Sequence, residues 1–150
     1  MKNRNIPNAL VGISGVHYVA FELSRRGLIA LPTTRNTSGY DIVALSSDGR
    51  RHANIQVKTA QRRPGFWPMP RSEKIRRGPH DFYVLIRGLA QGEIECFLVT
   101  GKKAWAQVRK TEERMRKEGG ARRVFPVIYA CGEFKEAGDR WKKAWNAWSL

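Results

Sequence analysis

Residues 40–59 read YDIVALSSDGRRHANIQVKT, and this stretch decides the fold. Two runs rich in β-branched and apolar residues, Tyr40 to Leu45 and His52 to Lys58, flank Ser46-Ser47-Asp48-Gly49-Arg50-Arg51. Asp-Gly between alternating apolar runs is a strong hairpin signal, because a type I′ turn needs positive φ at both central residues. A two-residue loop at Asp48-Gly49 sets Asp41 opposite Gln56. Opposed residues of an antiparallel pair project to one face, within about 5.5 Å between their Cα atoms. Lys58 follows Gln56 by two and joins that face, whereas Ile42, Ala44, Ile55 and Val57 take the other. One side of the hairpin is therefore expected to be apolar. The other is expected to gather a carboxylate, an amide and an ammonium at its open end. A slip of one residue would scatter that trio.

Upstream, Gly12 to Arg26 carries Ile13, Val16, Val19, Ala20 and Leu23 at helical spacing, with Asn8 or Ser14 as cap candidates and Gly27 as the stop. Leu28 to Leu31 reads as a short strand ended by Pro32, and Thr33 to Gly39 as a loop. Downstream, prolines at 64, 68, 70 and 79 break regular structure, so an irregular flap is expected at about 59–80. Asp81 to Arg87 and Glu93 to Val99 read as strands. Thr100 can cap a helix over 101–118 with Ala104, Val108, Thr111 and Met115 on one face. Val124 to Tyr129 is a further strand, and a last helix from about Asp139 carries Trp141, Trp145 and Trp148. This order predicts an α/β or α+β domain around one mixed sheet.

Composition narrows the function classes. The chain has 150 residues, with 28 Lys and Arg against 13 Asp and Glu, a formal net charge of +15. Its 41% hydrophobic content suffices for one core, which excludes a disordered basic tail. No apolar run approaches the roughly 18 residues of a membrane span, and the opening MKNRNIPNALVG lacks a signal-peptide core. Cys96 and Cys131 form neither a disulfide framework nor a tetrahedral metal set. His17, His52 and His80 show no metal spacing, although His17 adjoins Val16 of the first helix. A cytoplasmic, nucleoid-associated domain with a polyanion-seeking surface is the expectation, with no membrane partner.

The polar side of the hairpin has a chemical use. A carboxylate from Asp41 with neutral oxygens from the Gln56 side chain and the Val57 carbonyl suits a hard cation such as Mg²⁺. Such a metal lowers the pKa of a bound water and polarises a phosphoryl oxygen, and Lys58 beside it can stabilise charge on the phosphate. The plainer alternative is an exposed strand pair with a surface Asp–Lys contact worth under about 1 kcal/mol.

At these residues a family resemblance enters. Gly15 … Val19-Ala20-x-Glu22-Leu23-x-x-Arg26-Gly27, then Asn36-Thr37-Ser38-Gly39-Tyr40-Asp41, then Ile55-Gln56-Val57-Lys58-Thr59 resembles the PD-(D/E)XK nuclease superfamily. That superfamily includes archaeal Holliday-junction resolvases, type IV restriction catalytic domains and small homing endonucleases. The resemblance covers residues 12 to 60 and implies a restriction-endonuclease-like core over 1–150, a central mixed β-sheet flanked by helices. It implies Asp41 as the metal carboxylate, Gln56 as the second ligand position, Lys58 as the catalytic lysine, and Mg²⁺ (or Mn²⁺) as cofactor. Gln56 stands where most members carry Glu. Val16 stands where many resolvase-like members carry a helix Glu. Glu22 is the one acidic residue of that helix, about 240° around the axis from Val16, and is either a further catalytic candidate or a solvent-facing charge.

The flap adds Arg62, Arg63, Arg71, Lys74, Arg76 and Arg77 against Glu73 alone, with Phe66 and Trp67 between prolines. It reads as a DNA clamp, with guanidiniums on phosphates and Trp67 available for stacking; the alternative is an oligomer-contact loop. Six phosphate contacts would give a slope of log K against log salt of about −5. The leading expectation is a Mg²⁺-dependent endodeoxyribonuclease of homing, restriction or resolvase type, acting as a homodimer or homotetramer. The alternative is a catalytically weak or inactive nuclease-fold protein that binds nucleic acid. RNA as the substrate is a third reading.

Overall fold

The computed structural model describes residues 6–34, 39–61, 66–89, 92, 94–119 and 126–129. The elements in chain order are α1 (Asn8–Ser24), β1 (Ile29–Pro32), β2 (Ile42–Leu45), β3 (His52–Thr59) and β4 (Phe66–Pro68). A 3₁₀ turn (Ser72–Lys74), β5 (Asp81–Arg87), β6 (Glu95–Thr100), α2 (Gly101–Lys117) and β7 (Val127–Tyr129) complete them. Five strands form one sheet in the order β1-β2-β3-β5-β6, and β4 pairs with β7 in a separate ribbon. Only β3 and β5 run parallel in the larger sheet, which makes it mixed. The chain is thus an α/β fold with helices on both sheet faces.

The β2–β3 hairpin adopts the expected register, with Ile42 opposite Ile55, Val43 opposite Asn54 and Leu45 opposite His52. The turn itself differs. Its hydrogen bond runs from the Gly49 N–H to the Ser46 carbonyl, so Ser47 and Asp48 are the central residues, and Gly49 follows at φ +69°. Asp48 accepts from the Ser46 hydroxyl and the Arg50 N–H, an Asx-type arrangement that holds its carboxyl below the usual range. Hydrogen bonding of the short acidic side chain to its own turn outweighs the two-residue loop, and the longer loop preserves the same register.

Each face of the sheet has its own core. On one, Val19 and Leu23 of α1 pack with Ile42, Ala44, Ala53, Ile55, Val57, Val84 and Ile86. On the other, Ala104 and Val108 of α2 pack with Trp67, Met69, Ile75, Tyr83, Leu85, Phe97, Val99 and Ile128. α2 begins where the Thr100 hydroxyl accepts the Lys103 N–H at 3.3 Å, and Arg114, Arg116 and Lys117 lie in the last turn, where the helix dipole favours cations. α1 starts earlier than the sequence pattern indicates, at Asn8 after Pro7. Ser14 lies inside the helix and donates to the Leu10 carbonyl instead of capping.

The flap is more regular than its prolines indicate. Phe66–Pro68 forms a strand because β4 is an edge of its ribbon, where proline's missing N–H breaks no sheet ladder. Arg62, Arg63, residues 36–38, Cys131 and the Trp141/Trp145/Trp148 stripe lie outside the described residues. No helix among the described residues is long and apolar enough to cross a membrane.

α1 comes close to β3 at Gly15, where an added Cβ would stand 1.8 Å from Thr59 Oγ1. That hydroxyl is buried without a hydrogen-bond partner among the described residues. Gly15→Ala is therefore expected to lower stability by about 1–3 kcal/mol in urea unfolding, the range for overpacking. Thr59→Ala in the same chain should recover part of that loss, a coupling that a double-mutant cycle reads directly.

Candidate nucleic-acid interface

Asp41 stands at the entry to β2, and its backbone breaks the hairpin register. Its N–H donates to the Ile55 carbonyl at 2.9 Å, one residue short of the Gln56 expected opposite it. Its carboxylate accepts the Val57 N–H at 2.7 Å. The side chain then lines a cleft of about 490 Å³ with Ile13, Val16 and His17 of α1, Thr33 and Val57. Val57 belongs to the α1-side core, so this cleft lies on the α1 face of the sheet.

Gln56 and Lys58 take the other face. They pair laterally with Tyr83 and Leu85 of β5, which belong to the α2-side core, and lateral partners share a face. The trio expected from the hairpin is therefore split, with Asp41 in the α1-side cleft and Gln56 and Lys58 across the sheet. Glu22 joins neither. It is 6% exposed and accepts from Arg25 Nε at 3.0 Å and from the Arg26 guanidinium at the end of α1. Burial pushes the nearby Cys96 thiol up to about 12, with the Glu22 charge adding to the shift, so Cys96 stays protonated at neutral pH.

These placements overturn the expectation of a Mg²⁺-dependent endonuclease. Among the described residues, no group of three or more His, Cys, Asp or Glu is placed to hold a metal ion. The single carboxylate of the expected set, Asp41, is tied to a backbone N–H, Gln56 is neutral and on the opposite face, and Val16 supplies no acid. The donor set does not fit Mg²⁺ or Mn²⁺, which take clustered oxygen ligands. The metal-binding and magnesium assignments fall with it.

Residues 66–80 of the flap, in contrast, carry an anchored cationic surface. Trp67 is 1% exposed; its indole N–H donates to the Ile86 carbonyl at 2.9 Å, and its ring meets Phe97 edge-on at 5.3 Å. It is thus a core anchor and does not stack on bases, which corrects its expected role. Beyond it, Glu112 of α2 receives both the Ser72 N–H at 3.0 Å and the Ser72 hydroxyl at 2.6 Å. Ile75 is buried in the α2-side core. Asp81 then accepts the Gly78 N–H at 2.8 Å and the Asn54 side-chain amide at 3.2 Å, which fixes where the chain enters β5. Glu112→Ala is expected to cost about 1–3 kcal/mol, because it strands the Ser72 donors, and to speed hydrogen exchange within 71–77.

Between these anchors Lys74, Arg76 and Arg77 are exposed. Arg76 lies over the Tyr40 ring at 4.6 Å and donates to its hydroxyl at 3.0 Å, while its own N–H donates to the buried Tyr83 hydroxyl. Arg77 stacks at 4.3 Å on Trp105, whose ring also faces Arg109 at 5.9 Å. The backbone at 76–77 runs so close to Gly101 that a Cβ there would stand 2.3 Å from the Arg76 carbonyl oxygen. Lys102 and Lys103 of α2, both exposed, follow that contact directly. Arg71 lies at the start of the segment and is half-buried. Among the described residues, Lys74, Arg76, Arg77, Lys102 and Lys103 form no ion pair with a carboxylate, whereas Arg87 is paired with Glu95 and Arg109 with Glu113.

Tyr40 and Trp105, the rings that orient Arg76 and Arg77, carry no signal in the linear pattern. Each meets its arginine across a long stretch of chain, so only folding brings the pairs together. His17 in the Asp41 cleft was visible in the sequence by its neighbourhood to Val16, and the structure puts both at that cleft. A scan against protein-family models found no match, and searches of curated proteins and of solved structures found none.

Proposed function

We propose that this protein binds nucleic acid through the flap and the start of α2, on a core of the restriction-endonuclease-like kind that does not cut by a metal-dependent route. The observation that carries the reading is the cluster Lys74, Arg76, Arg77, Lys102 and Lys103, exposed and without acidic partners among the described residues, with two of its arginines oriented by aromatic rings. Guanidiniums held in place by stacking lose little side-chain freedom on meeting a phosphate, so their binding energy is not consumed by ordering. Lys58 lies on the same sheet face and extends the track. The resemblance of residues 12–60 to the nuclease superfamily and the net charge of +15 favour a polyanionic partner.

Duplex DNA is the favoured ligand, and the test is fluorescence anisotropy with a labelled duplex across a salt series. Six cations engaging phosphates predict a slope of log K against log salt of about −5. Chelation by EDTA should leave the affinity unchanged, and plasmid DNA should remain intact in Mg²⁺. A slope shallower than about −2 would remove the phosphate track from the account. Tighter binding to single-stranded or duplex RNA of equal length would reassign the ligand class.

A further inference from the structure

The β2–β3 turn, the end of the flap and the start of α2 lie at one end of the five-stranded sheet. Leu45 pairs with His52, Asn54 with Asp81, and Phe82 with Thr100, which brings the three connections to neighbouring rows. The turn carries cations of its own. Ser47 to His52 are all exposed. Arg51 forms no ion pair with a carboxylate among the described residues, and Arg50 meets Asp48 only at 3.9 Å, with 86% of its side chain exposed. The acids nearest in the chain, Asp48 and Asp81, each accept two hydrogen bonds from the protein.

This turn is held in shape and joined to the flap. The Arg51 N–H donates to the Ser46 hydroxyl at 3.0 Å and the Ser46 N–H to the Arg51 carbonyl at 2.9 Å, with Ser46 buried. At the foot of the turn the His52 ring lies 4.5 Å from that of His80, tilted by 31°. The Asn54 N–H donates to the His80 carbonyl at 2.8 Å, and Arg77 precedes His80 by three residues. β5 alone separates β3 from β6, so two strand spacings, about 10 Å, lie between them. The turn leads into β3, and Lys102 and Lys103 follow β6, so cations stand on both sides of a gap of that order. The grooves of B-DNA are about 6 and 12 Å wide. A duplex presents a phosphate row on each side of such a gap, whereas a single strand presents one row.

We infer that the β2–β3 turn is a second arm of the nucleic-acid interface. Arg50 and Arg51 meet the backbone on one side of a groove, while Arg77, Lys102 and Lys103 hold the backbone on the other. This second arm presupposes the duplex binding proposed above and makes both strands part of the contact. Because the turn is already fixed by its own hydrogen bonds, little chain freedom is lost on contact.

The test is fluorescence anisotropy with a labelled duplex, and with one of its strands alone, over a salt series. Arg50→Ala combined with Arg51→Ala should flatten the duplex slope of log K against log salt by about 1.8, two contacts at about 0.9 each, and weaken duplex binding about tenfold or more near physiological salt. The same variant should bind the single strand like the parent chain. The hydrogen bonds of the turn use only the backbone of these two residues, so the far-UV circular dichroism spectrum should be unchanged. Arg116→Ala with Lys117→Ala removes the same charge about 20 Å along α2 from Lys103, and should leave the duplex slope unchanged. A turn variant that matches the parent chain on the duplex, or that loses as much on the single strand, would overturn the second arm and leave the flap–α2 interface standing. An equal loss in the Arg116 and Lys117 variant would do the same. A parent chain without salt-dependent duplex binding would instead remove the proposed function, and the second arm with it.

Discussion

Trp67→Ala should lower the unfolding free energy by about 3–5 kcal/mol, the range for truncating a large buried aromatic. Trp67 is the largest fully buried side chain among the described residues, and three losses coincide at it. The substitution opens a cavity between the sheet and the β4–β7 ribbon, ends the edge-on contact with Phe97, and leaves the Ile86 carbonyl without its indole donor. Equilibrium denaturation with urea reads the change as a lower midpoint. Trp67→Phe separates the terms, since it keeps an aromatic ring while removing the N–H, and a loss of about 1–3 kcal/mol is expected from the lost hydrogen bond and the smaller ring, with the Ile86 carbonyl still accepting the Ala60 N–H. For the fraction of Trp67→Ala that remains folded, affinity for duplex DNA should match the parent chain. A base-stacking role would predict the reverse, a large loss of affinity with intact stability.

Replacing Arg76, Arg77, Lys102 and Lys103 together by Ala should have the largest effect on binding. Each phosphate contact contributes about 0.9 to the slope of log K against log salt, so the combined variant should flatten it by about 3.6. All four side chains are exposed, and Arg76 and Arg77 contribute ring contacts whose loss is small beside the core. The urea midpoint is therefore expected to move little, which distinguishes a binding defect from misfolding. Tyr40→Phe offers a finer probe. It removes the hydroxyl that receives Arg76 but keeps the ring beneath the guanidinium. A modest loss of affinity with an unchanged salt slope is expected, because the charge remains while its orientation loosens.

The split of Asp41 from Gln56 and Lys58 explains why the hairpin was readable and its site was not. Strand alternation over Ile42–Leu45 and His52–Thr59 follows from the two-residue period of a half-buried strand, and the structure buries the residues that this period selects. Asp41 lies one residue outside β2, where no ladder enforces the period. There its carboxylate takes the Val57 N–H, and its backbone shifts to the Ile55 carbonyl. A local hydrogen bond of a short acidic side chain thus competes with the pairing pattern and wins where the strand ends. The flap shows the same limit from the other direction. Its prolines argued for irregular chain, but Trp67, Met69 and Ile75 bury against α2 and the sheet, so tertiary contacts order a segment that local propensity leaves open.

The sequence by itself determined the order of α1, α2 and the five strands of the larger sheet, the register of the β2–β3 hairpin, the buried face of α2 and the strongly basic balance of the chain. Each of these depends on short-range periodicity, turn chemistry or composition, and all three are written in neighbouring residues. Only the tertiary structure decided that Trp67 is core, that Glu22 is neutralised by Arg25 and Arg26, and that Asp41 faces away from Lys58. It also decided that Arg76 and Arg77 are aimed by Tyr40 and Trp105, and that the β2–β3 turn and the start of α2 share one end of the sheet. The physical reason is common to them. Burial, lateral pairing across strands and ring stacking depend on which distant segments meet, and that is settled by the summed packing of both sheet faces and by no local signal.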